Sequence, residues 1–530
     1  MKLASDKNIE KNEYLFGSIG KLQFATLLIC FVILLCVFSF SEEMAGDSHQ
    51  YVILAKSILQ GSYNNDAFIG SPPEVEIPPG YPLLITPVVY FFKDPAIPLK
   101  LLSFVSMLLA LFIILKLFQK HKIPPLASSL FVIALSLNPG INVYSHLAIT
   151  ESLYILFTMA AIYFFDSSLE TDNNWKFIGA SVVVVSSYFL RPLGAALIIG
   201  AFLLLVFRKN ILRTVLFVGT TTILYCPWFI RNLLVKSGNE ESFYLKYYLY
   251  RNPYCGKEVV GFGEIFVRIA KNIAKYSLRE LPTIFTGFVK QLNPLNITFG
   301  AIFSVIALIG TIMLIRKKKS VVPFFVIFYA GAVLLYSTNW ACFRFIVPIA
   351  PLIIILIWKG LNTAWPLDLK KYSKSAIIVI PIIAIGLNLI HYVPQSKKNI
   401  STTIDYLFGD YEAFDGDPGW RSFYTACKWI EDNTPPEAGV ICRKPRICYH
   451  FSGRKSQCFP YCPAPEDVIA KIESFGADYV LVDARFEETE RFLIPTIEAY
   501  PDKFSILFET DPPVSSVYKI RYDISEKGMD

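Results

Sequence analysis

The chain has 530 residues, of which 54% are hydrophobic and 18% are charged, and its formal net charge is +7. A soluble protein carries about 25% charged residues and at this length divides into several domains with polar surfaces, so the composition excludes an ordinary soluble protein. The basic residues lie largely in short clusters between long apolar segments. This pattern is typical of membrane topology and does not favour nucleic acid as a partner.

The first apolar segment, residues 22–40, follows four lysines. It is longer than the apolar core of a cleaved signal peptide, which has about 7–15 residues, and it is long enough to cross a membrane. We therefore predict a cytoplasmic N-terminus, residues 1–21, followed by an uncleaved membrane anchor.

Ten further apolar segments are candidate spans of a membrane domain that covers residues 22–394. They are residues 96–115, 126–143, 146–165, 176–190, 193–207, 211–229, 295–315, 321–337, 342–358 and 375–393. Together with the first they predict about eleven transmembrane helices, although 176–190 and 193–207 are short enough to form a hairpin that does not cross fully. If the N-terminus is inside, four of the inside loops carry clusters of lysine and arginine, as the positive-inside rule requires. The odd number of spans then places the C-terminal region outside.

The first outer loop, residues 41–95, begins with an acidic residue and a helix. After Asp47, apolar residues recur at helical spacing for three turns, which predicts a helix lying on the membrane surface. Asp47 is either a functional carboxylate just beyond the first span or the N-terminal cap of this helix, a role that aspartate fills well. Glu74 and Glu76, further along the same loop, are predicted to be solvated.

One acid and four arginines occupy unusual places near the predicted outer surface. Glu151 lies about five residues inside an apolar segment, where an ionisable group is a functional candidate by default; the alternative is that Thr150 caps a helix whose first turn contains Glu151. Four arginines near predicted span ends have aromatic or proline neighbours and indicate a phosphate-binding set, unless their side chains simply reach the membrane surface. They are Arg191, Arg231, Arg251 and Arg344.

The large outer loop, residues 230–294, contains a basic amphipathic helix at 264–276. Phe266 and Ile273 fall on its apolar face, whereas Arg268, Lys271 and Lys275 fall elsewhere. Such a helix is suited to lying at a membrane surface or over a lipid phosphate, and it is equally suited to packing on the helix bundle.

The tail, residues 395–530, alternates helix and strand patterns and predicts a small extracytoplasmic α/β domain. It contains five cysteines: Cys427, Cys442, Cys448, Cys458 and Cys462. An outside location favours one or two disulfides, and the cysteine spacings fit the common zinc-ribbon pairs poorly. His49 and His146 could form a metal site with Asp47 or Glu151, but no i, i+4 histidine pair supports one.

Six short segments, in this order, resemble the GT-C class of membrane glycosyltransferases, in particular its branch of protein O-mannosyltransferases and aminoarabinose transferases (family 39-type). The segments are GDSHQYVILAKSILQG (46–61), IPPGYPLL (77–84), ITESLYIL (149–156), RPLG (191–194), PWFIRN (227–232) and RFIVPIAP (344–351). The resemblance implies a polytopic α-helical membrane protein with a GT-C-like fold, a catalytic Asp47 and a second active-site acid at Glu151. It also implies that the outer arginines bind the donor phosphate and that Tyr51, Pro79 and Tyr81 belong to a substrate loop. Two positions depart from the family pattern. Ser48 follows Asp47 where some members have an acidic pair, and Ile77 precedes Pro78 where the aminoarabinose transferases place a lysine. The second departure argues against the aminoarabinose reaction itself.

These features predict a multi-pass cell-membrane enzyme that transfers a sugar, with inversion, from a polyprenyl-phosphate donor to a protein, lipid or glycan acceptor on the outer face. Membrane lipid and the donor are the expected partners, and the acceptor is left open. No metal ligands are assigned, although a divalent cation is left open as a cofactor. The alternative is a lipid or solute transporter, which would more often show inverted repeats. The sequence contains no Walker loop and no dinucleotide-binding fingerprint.

Overall fold

The computed structural model describes residues 20–41, 43–44, 46–235, 243–255, 258–288, 292–338, 342–364, 370–409, 417–483 and 485–522. Almost all of the predicted cytoplasmic segment 1–21 therefore lies outside the described residues. The first half of the chain forms ten α-helices. They are α1 (Lys21–Val37), α2 (Gly46–Leu59), α3 (Gly80–Phe91), α4 (Ala96–Lys120), α5 (Pro125–Ser136), α6 (Pro139–Ser145), α7 (Glu151–Ser168), α8 (Asn174–Leu190), α9 (Ala195–Phe207) and α10 (Ile211–Val235).

The sharp bend between α5 and α6 has a local cause. The two helices meet at 67°, and the side chain of Asn138 accepts a hydrogen bond from the backbone N–H of Gly140 at 3.0 Å. Pro139 is the first residue of α6, where proline fits because its missing N–H would have no helical partner. An N-terminal cap followed by proline thus ends one helix and starts the next inside a single apolar segment.

The large outer loop contains three short helices, α11 (Phe243–Leu249), α12 (Phe262–Lys275) and α13 (Thr283–Thr286), with a π-helical turn at Tyr276–Glu280. The amphipathic helix predicted at 264–276 is therefore confirmed as α12. Its polar face packs on the bundle: Asn272 donates to the backbone carbonyls of Leu334 and Tyr336 at 2.8 and 2.9 Å. Its apolar face is exposed, which is the opposite of a helix in a soluble protein.

The second half of the bundle comprises α14 (Pro294–Lys317), α15 (Val322–Leu335), α16 (Ala350–Ala364) and α17 (Lys370–Phe408). Helices α14 and α16 approach each other closely through paired glycines. A side chain at Gly310 would overlap the carbonyl of Leu356, and one at Gly360 would overlap the carbonyl of Ile306. Small residues at such a contact let two apolar helices pack backbone against backbone, as is common within membranes.

Every predicted span coincides with a helix, but helix length and composition do not establish eleven transmembrane helices. Among the described residues, five helices are long and apolar enough to cross a membrane, or six if the bent pair α5 and α6 counts as one span. The five are Ala96–Lys120, Ile211–Val235, Pro294–Lys317, Phe343–Thr363 and Ile377–Phe408. The remaining predicted spans coincide with helices that fall short of this length or hydropathy.

The last long helix differs from its prediction because it does not end near residue 394. Helix α17 continues through Pro394 to Phe408, and its final turns contact the end of α1. The hydroxyl of Thr403 accepts a hydrogen bond from the backbone N–H of Phe40 at 3.3 Å, and Asn399 donates to the carbonyl of Val37. These polar side chains satisfy backbone groups that α1 leaves unpaired at its end, so the α/β domain starts after this helix.

The tail folds into the predicted small α/β domain. Its elements are α18 (Pro418–Asn433), β1 (Val440–Ile441), α19 (Pro445–Ser452), β2 (Ser456–Gln457), α20 (Pro465–Ser474), β3 (Tyr479–Val482), α21 (Ile494–Ala499), β4 (Phe504–Glu509) and β5 (Ser516–Ile520). The strands form a five-stranded mixed sheet in the order β2-β1-β3-β5-β4. Strand β1 is parallel to both β2 and β3, whereas β5 is antiparallel to both β3 and β4. Buried apolar residues on both faces of the sheet form two cores.

The basic loops that were predicted to lie inside contact one another or neighbouring turns at one end of the bundle. Lys120 forms an ion pair with Glu170 at 3.0 Å, Arg213 donates to the carbonyl of Ser168 at 3.1 Å, and Lys318 donates to the carbonyl of Phe207 at 3.3 Å. Asp47, Glu151 and the arginines discussed below belong to the opposite end, where the tail domain also contacts the bundle.

Candidate active site

Asp47 lies in the first turn of α2, just beyond α1, as the sequence predicts. Its carboxylate accepts a hydrogen bond from Arg344 Nη1 at 2.8 Å, and the side chain remains 46% exposed. Within the described residues this is its one hydrogen bond, so the carboxylate does not cap α2. The alternative that Asp47 serves only as a helix cap is therefore not what the structure supports.

Glu151 is the first residue of α7, and its side chain is fully buried. Its Oε1 accepts hydrogen bonds from Arg191 Nη1 at 2.6 Å and from Arg344 Nε, while Oε2 lies 3.4 Å from the hydroxyl of Thr150. Thr150 makes no side-chain capping bond to the helix. One buried acid thus holds two guanidinium groups, and Arg344 links it to Asp47.

Breaks in the helices place both arginines at the same end of the bundle. Arg191 lies between α8 and a 3-10 turn at Pro192–Gly194, and Arg344 lies in a second 3-10 turn at Phe343–Phe345 that precedes α16. Proline cannot continue the hydrogen-bond ladder of the helix before it, so Pro192 ends α8 at the position that points Arg191 towards Glu151.

Each of the two guanidiniums has hydrogen-bond donors that are not used within the described residues. In the part of the chain that the structure describes, Arg191 Nε and Nη2 and Arg344 Nη2 have no hydrogen-bond partner. Their side chains are 15% and 28% exposed, so they are partly shielded from water yet reachable. Planar donors fixed by one acid and facing an open carboxylate are well suited to bind the oxygens of a phosphate.

Residues of the predicted substrate loop lie close to this cluster. The ring of Tyr51, one helical turn after Asp47, packs edge-on against the ring of Tyr81 with centroids 4.8 Å apart. Tyr81 is buried, and its hydroxyl has no hydrogen-bond partner among the described residues. Pro79 precedes α3 directly and fixes the start of that helix. Their contact with substrate stays a prediction.

The other two predicted phosphate ligands have different surroundings. Arg231 donates to the backbone carbonyls of Tyr63 and Glu74 and so ties α10 to the first outer loop. Arg251 pairs with Glu258 at 3.1 Å and with Glu264 at 2.5 Å on the exposed surface. The structure therefore brings Arg191 and Arg344 to the acids and gives Arg231 and Arg251 other partners.

Glu74 differs from its prediction because it is not solvated. The residue is buried, and its Oε1 accepts hydrogen bonds from the backbone N–H groups of Glu76 and Ile77 at 2.9 and 3.1 Å. This acid organises the proline-rich turn of the first outer loop and is committed to that role.

An apolar cavity of about 220 Å³ opens beside the cluster, between α12, α14, α15 and the segment that leads into α16. Phe345, the neighbour of Arg344, and Tyr329 belong to its lining. Tyr329 is also near enough to Arg191 to interact with it electrostatically. A space with almost exclusively hydrocarbon walls thus reaches the edge of a charged site.

The tail domain contacts the first outer loop next to Asp47, a contact that no sequence pattern predicts. A Cβ atom added to Gly46 would lie 3.8 Å from Ile447 Cδ1 of α19, and the rings of His49 and His450 are 4.7 Å apart. The backbone N–H of Ser456 donates to the carbonyl of Ala67 at 2.7 Å. Helix α19 therefore forms one wall above the N-terminus of α2.

One disulfide joins the tail to the large outer loop. It links Cys255 and Cys462, which are 207 residues apart. The structure thus contains one of the predicted disulfides, but the tail cysteine Cys462 pairs with a cysteine outside the tail. Cys427, Cys442 and Cys448 are buried free thiols, and Cys458 is a half-buried one.

No group of three or more histidine, cysteine or acidic residues in the described ranges has the arrangement to hold a metal ion. His146 is buried with Nδ1 unbonded among those residues. The His49–His146 metal alternative finds no ligand set there. A cation site is therefore not assigned.

The apolar helix bundle with an α/β domain beside one of its ends is a fold that solved structures share. No protein-family model matches the chain, and no curated protein matches its sequence. Among solved structures, the fold is similar to that of ArnT from Cupriavidus metallidurans bound to undecaprenyl phosphate, with a TM-score of 0.57 and 11% identity over 94% of this chain and 97% of that one. The apo state of ArnT gives a TM-score of 0.54 and 13% identity over the same shares. The mycobacterial arabinofuranosyltransferase AftD gives a TM-score of 0.48 and 11% identity over 96% of this chain and 40% of its own.

Proposed function

We propose that this protein transfers a sugar from a polyprenyl-phosphate donor to an acceptor, with inversion, on the outer face of the cell membrane. One observation carries the proposal. Asp47, a half-exposed carboxylate, shares Arg344 with the buried acid Glu151, and Glu151 also holds Arg191. An open base next to two preorganised guanidiniums is the pair of functions that such a reaction requires.

Asp47 is the proposed general base. The acceptor hydroxyl or amine attacks the anomeric carbon from the face opposite the phosphate, and Asp47 takes its proton as the new bond forms. The bond between the anomeric carbon and the phosphate oxygen breaks, and the electron pair leaves with the polyprenyl phosphate. Glycosidases need an acid as well because a sugar alkoxide leaves poorly, whereas a phosphate leaves without protonation.

Arg191 and Arg344 are the proposed phosphate ligands. Negative charge gathers on the departing phosphate, and fixed donors aimed at it lower the barrier because they need no reorganisation. Glu151 is then a positioning residue, because its Oε1 already holds both guanidiniums and the side chain is fully buried. This assignment changes its predicted part from second active-site acid to the anchor of the two arginines.

Further features support the lipid donor and the outer face. The cavity lined by Phe345 and Tyr329 would accept part of an isoprenoid chain while the phosphate stays at Arg344. ArnT, whose fold is similar, was solved with undecaprenyl phosphate bound. The basic loops gather at the end of the bundle away from Asp47, and such loops are typical of the cytoplasmic side.

The test is a transfer assay with the full chain in lipid vesicles. Undecaprenyl phosphate carrying a radiolabelled hexose or pentose is supplied together with membranes from cells that lack this protein as the acceptor source. We expect covalent transfer of the label. Movement of the label across the vesicle membrane without a new bond would indicate the transporter instead. The absence of both covalent transfer and movement would also overturn the proposal.

The matched variants are Asp47→Asn and Asp66→Asn, both in the first outer loop. Loss of the base should lower the rate at least about 10²-fold, whereas Asp66, a half-buried acid outside the cluster, should be dispensable. A folded Asp47→Asn protein with near-normal transfer would refute the assignment.

A further inference from the structure

The start of α19 carries two cations that neither the bundle nor the tail neutralises, one just before the helix and one in its first turn. The side chains of Lys444 and Arg446 make no hydrogen bond and no ion pair with any described residue, and Arg446 Nε is also buried from water. Each side chain lies over an aromatic ring instead: Lys444 Nζ is 4.9 Å from the centroid of Phe486, and the guanidinium of Arg446 is 5.1 Å from that of Phe68.

Both cations belong to the part of the tail that contacts the first turn of α2, and the charge of Asp47 acts on both of them. Ile447, the residue after Arg446, packs against Gly46, which precedes Asp47. Two parts of the chain that are far apart in sequence therefore meet at one site.

The acids near this pair are already committed to other partners. Glu488 pairs with Arg443 at 3.0 Å, and Glu74 accepts hydrogen bonds from two backbone N–H groups. Asp47 is held by Arg344. The guanidinium and the ammonium thus keep their charge without a dedicated counter-ion.

Two cations that are shielded from water and lack a dedicated counter-ion destabilise the folded state unless an anion binds. Burial, together with the neighbouring charge of Arg443, lowers the pKa of Lys444, and burial lowers the pKa of Arg446. A lowered pKa means that the charged form is disfavoured in the empty site. A bound oxyanion would reverse this, since charge-assisted hydrogen bonds to guanidinium and ammonium groups are strong.

We propose that Lys444 and Arg446 of the tail domain form a second anion subsite, which binds a phosphate or carboxylate group of a substrate beside Asp47. The inference rests on the proposed function, which makes the bound molecule a substrate. It assigns the tail domain a direct part in substrate binding. The anion belongs either to the acceptor, whose proton Asp47 takes, or to the donor, and the two sources are separable by experiment.

The test measures binding to the full chain in lipid nanodiscs. Undecaprenyl phosphate is first added to saturation to fill the Arg191–Arg344 site, and inorganic pyrophosphate is then titrated while the thermal transition is followed. Wild-type protein should be stabilised further, because a ligand that binds the folded state raises its stability. The double variant Lys444→Gln, Arg446→Gln should bind pyrophosphate at least about tenfold more weakly.

The control changes two other cations of the same domain that also lie over rings. Lys471 Nζ is 4.7 Å from the centroid of Phe475, and the guanidinium of Arg491 is 5.4 Å from that of Phe492. Lys471→Gln, Arg491→Gln should leave the pyrophosphate affinity unchanged. The charge-preserving pair Lys444→Arg, Arg446→Lys should retain most of it, which separates loss of charge from loss of fold.

The outcomes distinguish the sources and the two proposals. A second pyrophosphate site that depends on Lys444 and Arg446 assigns the anion to the acceptor side. No second site, but weaker undecaprenyl phosphate binding in the double variant, assigns it to the donor. Pyrophosphate binding that depends on these residues in a protein that binds no undecaprenyl phosphate would overturn the proposed function and keep the subsite. Unchanged binding of both probes in the double variant would overturn the subsite alone.

Discussion

Arg191 donates a hydrogen bond of 2.6 Å to Glu151, an acid whose side chain is fully buried. The same carboxylate oxygen accepts from Arg344, so one buried acid is shared by two guanidiniums, of which Arg344 also pairs with Asp47. Removing one partner of a buried ion pair costs about 3–5 kcal/mol, because the remaining charge is left buried and unpaired. We expect Glu151→Gln to lower the free energy of unfolding by about this amount, as measured by detergent-induced unfolding in mixed micelles.

The double variant Glu151→Gln, Arg191→Gln gives a sharper form of this prediction. It also removes the guanidinium that Glu151→Gln alone would leave without an acid, so its destabilisation should be smaller than the sum of the two single effects, with a coupling of about 0.5–3 kcal/mol. Glu170→Gln is the control, because Glu170 pairs with Lys120 while its side chain is 67% exposed, and an exposed pair contributes about 0–1 kcal/mol. Strict additivity at Glu151 and Arg191 would contradict the shared-charge arrangement.

Periodicity and charge could predict the helices and the end of the bundle where the acids meet. Asp47, Glu151, Arg191 and Arg344 stand out because each is an ionisable residue beside or inside an apolar segment. That local signal does not depend on the rest of the fold, and the structure brings these four residues together.

The same local signal could not separate Arg191 and Arg344 from Arg231 and Arg251, since all four have aromatic or proline neighbours and the difference lies in distant partners. Helix α17 passes residue 394 for a similar reason. Its polar turns look like the start of a soluble segment until α1 supplies the groups that they bind. Cys255 had one usable signal, its place in a loop predicted to lie on the same side as the tail.

The disulfide between Cys255 and Cys462 can be tested by cutting the chain between the two cysteines. A protease site inserted between Lys318 and Lys319, in the exposed turn after α14, separates the chain into two fragments on cleavage. We expect the fragments to migrate together on a denaturing gel without reductant and apart with it, because the two cysteines lie on different fragments.

Cys462→Ser should release the fragments without reductant, whereas Cys458→Ser should not, since Cys458 is a free thiol. Removing the bond should also lower the stability of the junction between loop and tail, by about 2–5 kcal/mol if it behaves as disulfides of small domains do. Linked fragments in the Cys462→Ser variant would mean that the tail is joined through another cysteine.

Lys100 is a buried cation that holds the segment before Asp47 in place. This residue of α4 is buried, and its Nζ donates to the carbonyl and hydroxyl oxygens of Ser41 at 2.5 and 3.1 Å. Lys100→Met should let that segment shift, and a displacement of about 1 Å at a base can cost up to about 10²-fold in rate.

The expected signature is a lower kcat with unchanged binding of undecaprenyl phosphate, because Arg191 and Arg344 do not rely on Lys100. Lys93→Met, an exposed lysine of the same loop, is the control and should be neutral. Equal losses in lipid binding and kcat would point to general unfolding rather than to a displaced base.

The exposed face of α12 predicts direct contact with lipid. Phe262 and Phe266 are 80% and 59% exposed, while Arg268 on the opposite face donates to the backbone carbonyls of Tyr248 and Tyr250 at 2.8 and 3.0 Å. Its guanidinium is therefore committed to the protein and is not the ligand of a lipid phosphate. A helix with its polar side fixed and its aromatic side open is suited to the membrane interface.

A photoreactive benzoylphenylalanine in place of Phe266 should crosslink to labelled phospholipid in vesicles. The same group at Ile506, which is 48% exposed on β4 of the tail domain, should not. Equal crosslinking at both positions would mean that exposure alone, and not placement against the bilayer, accounts for the reaction.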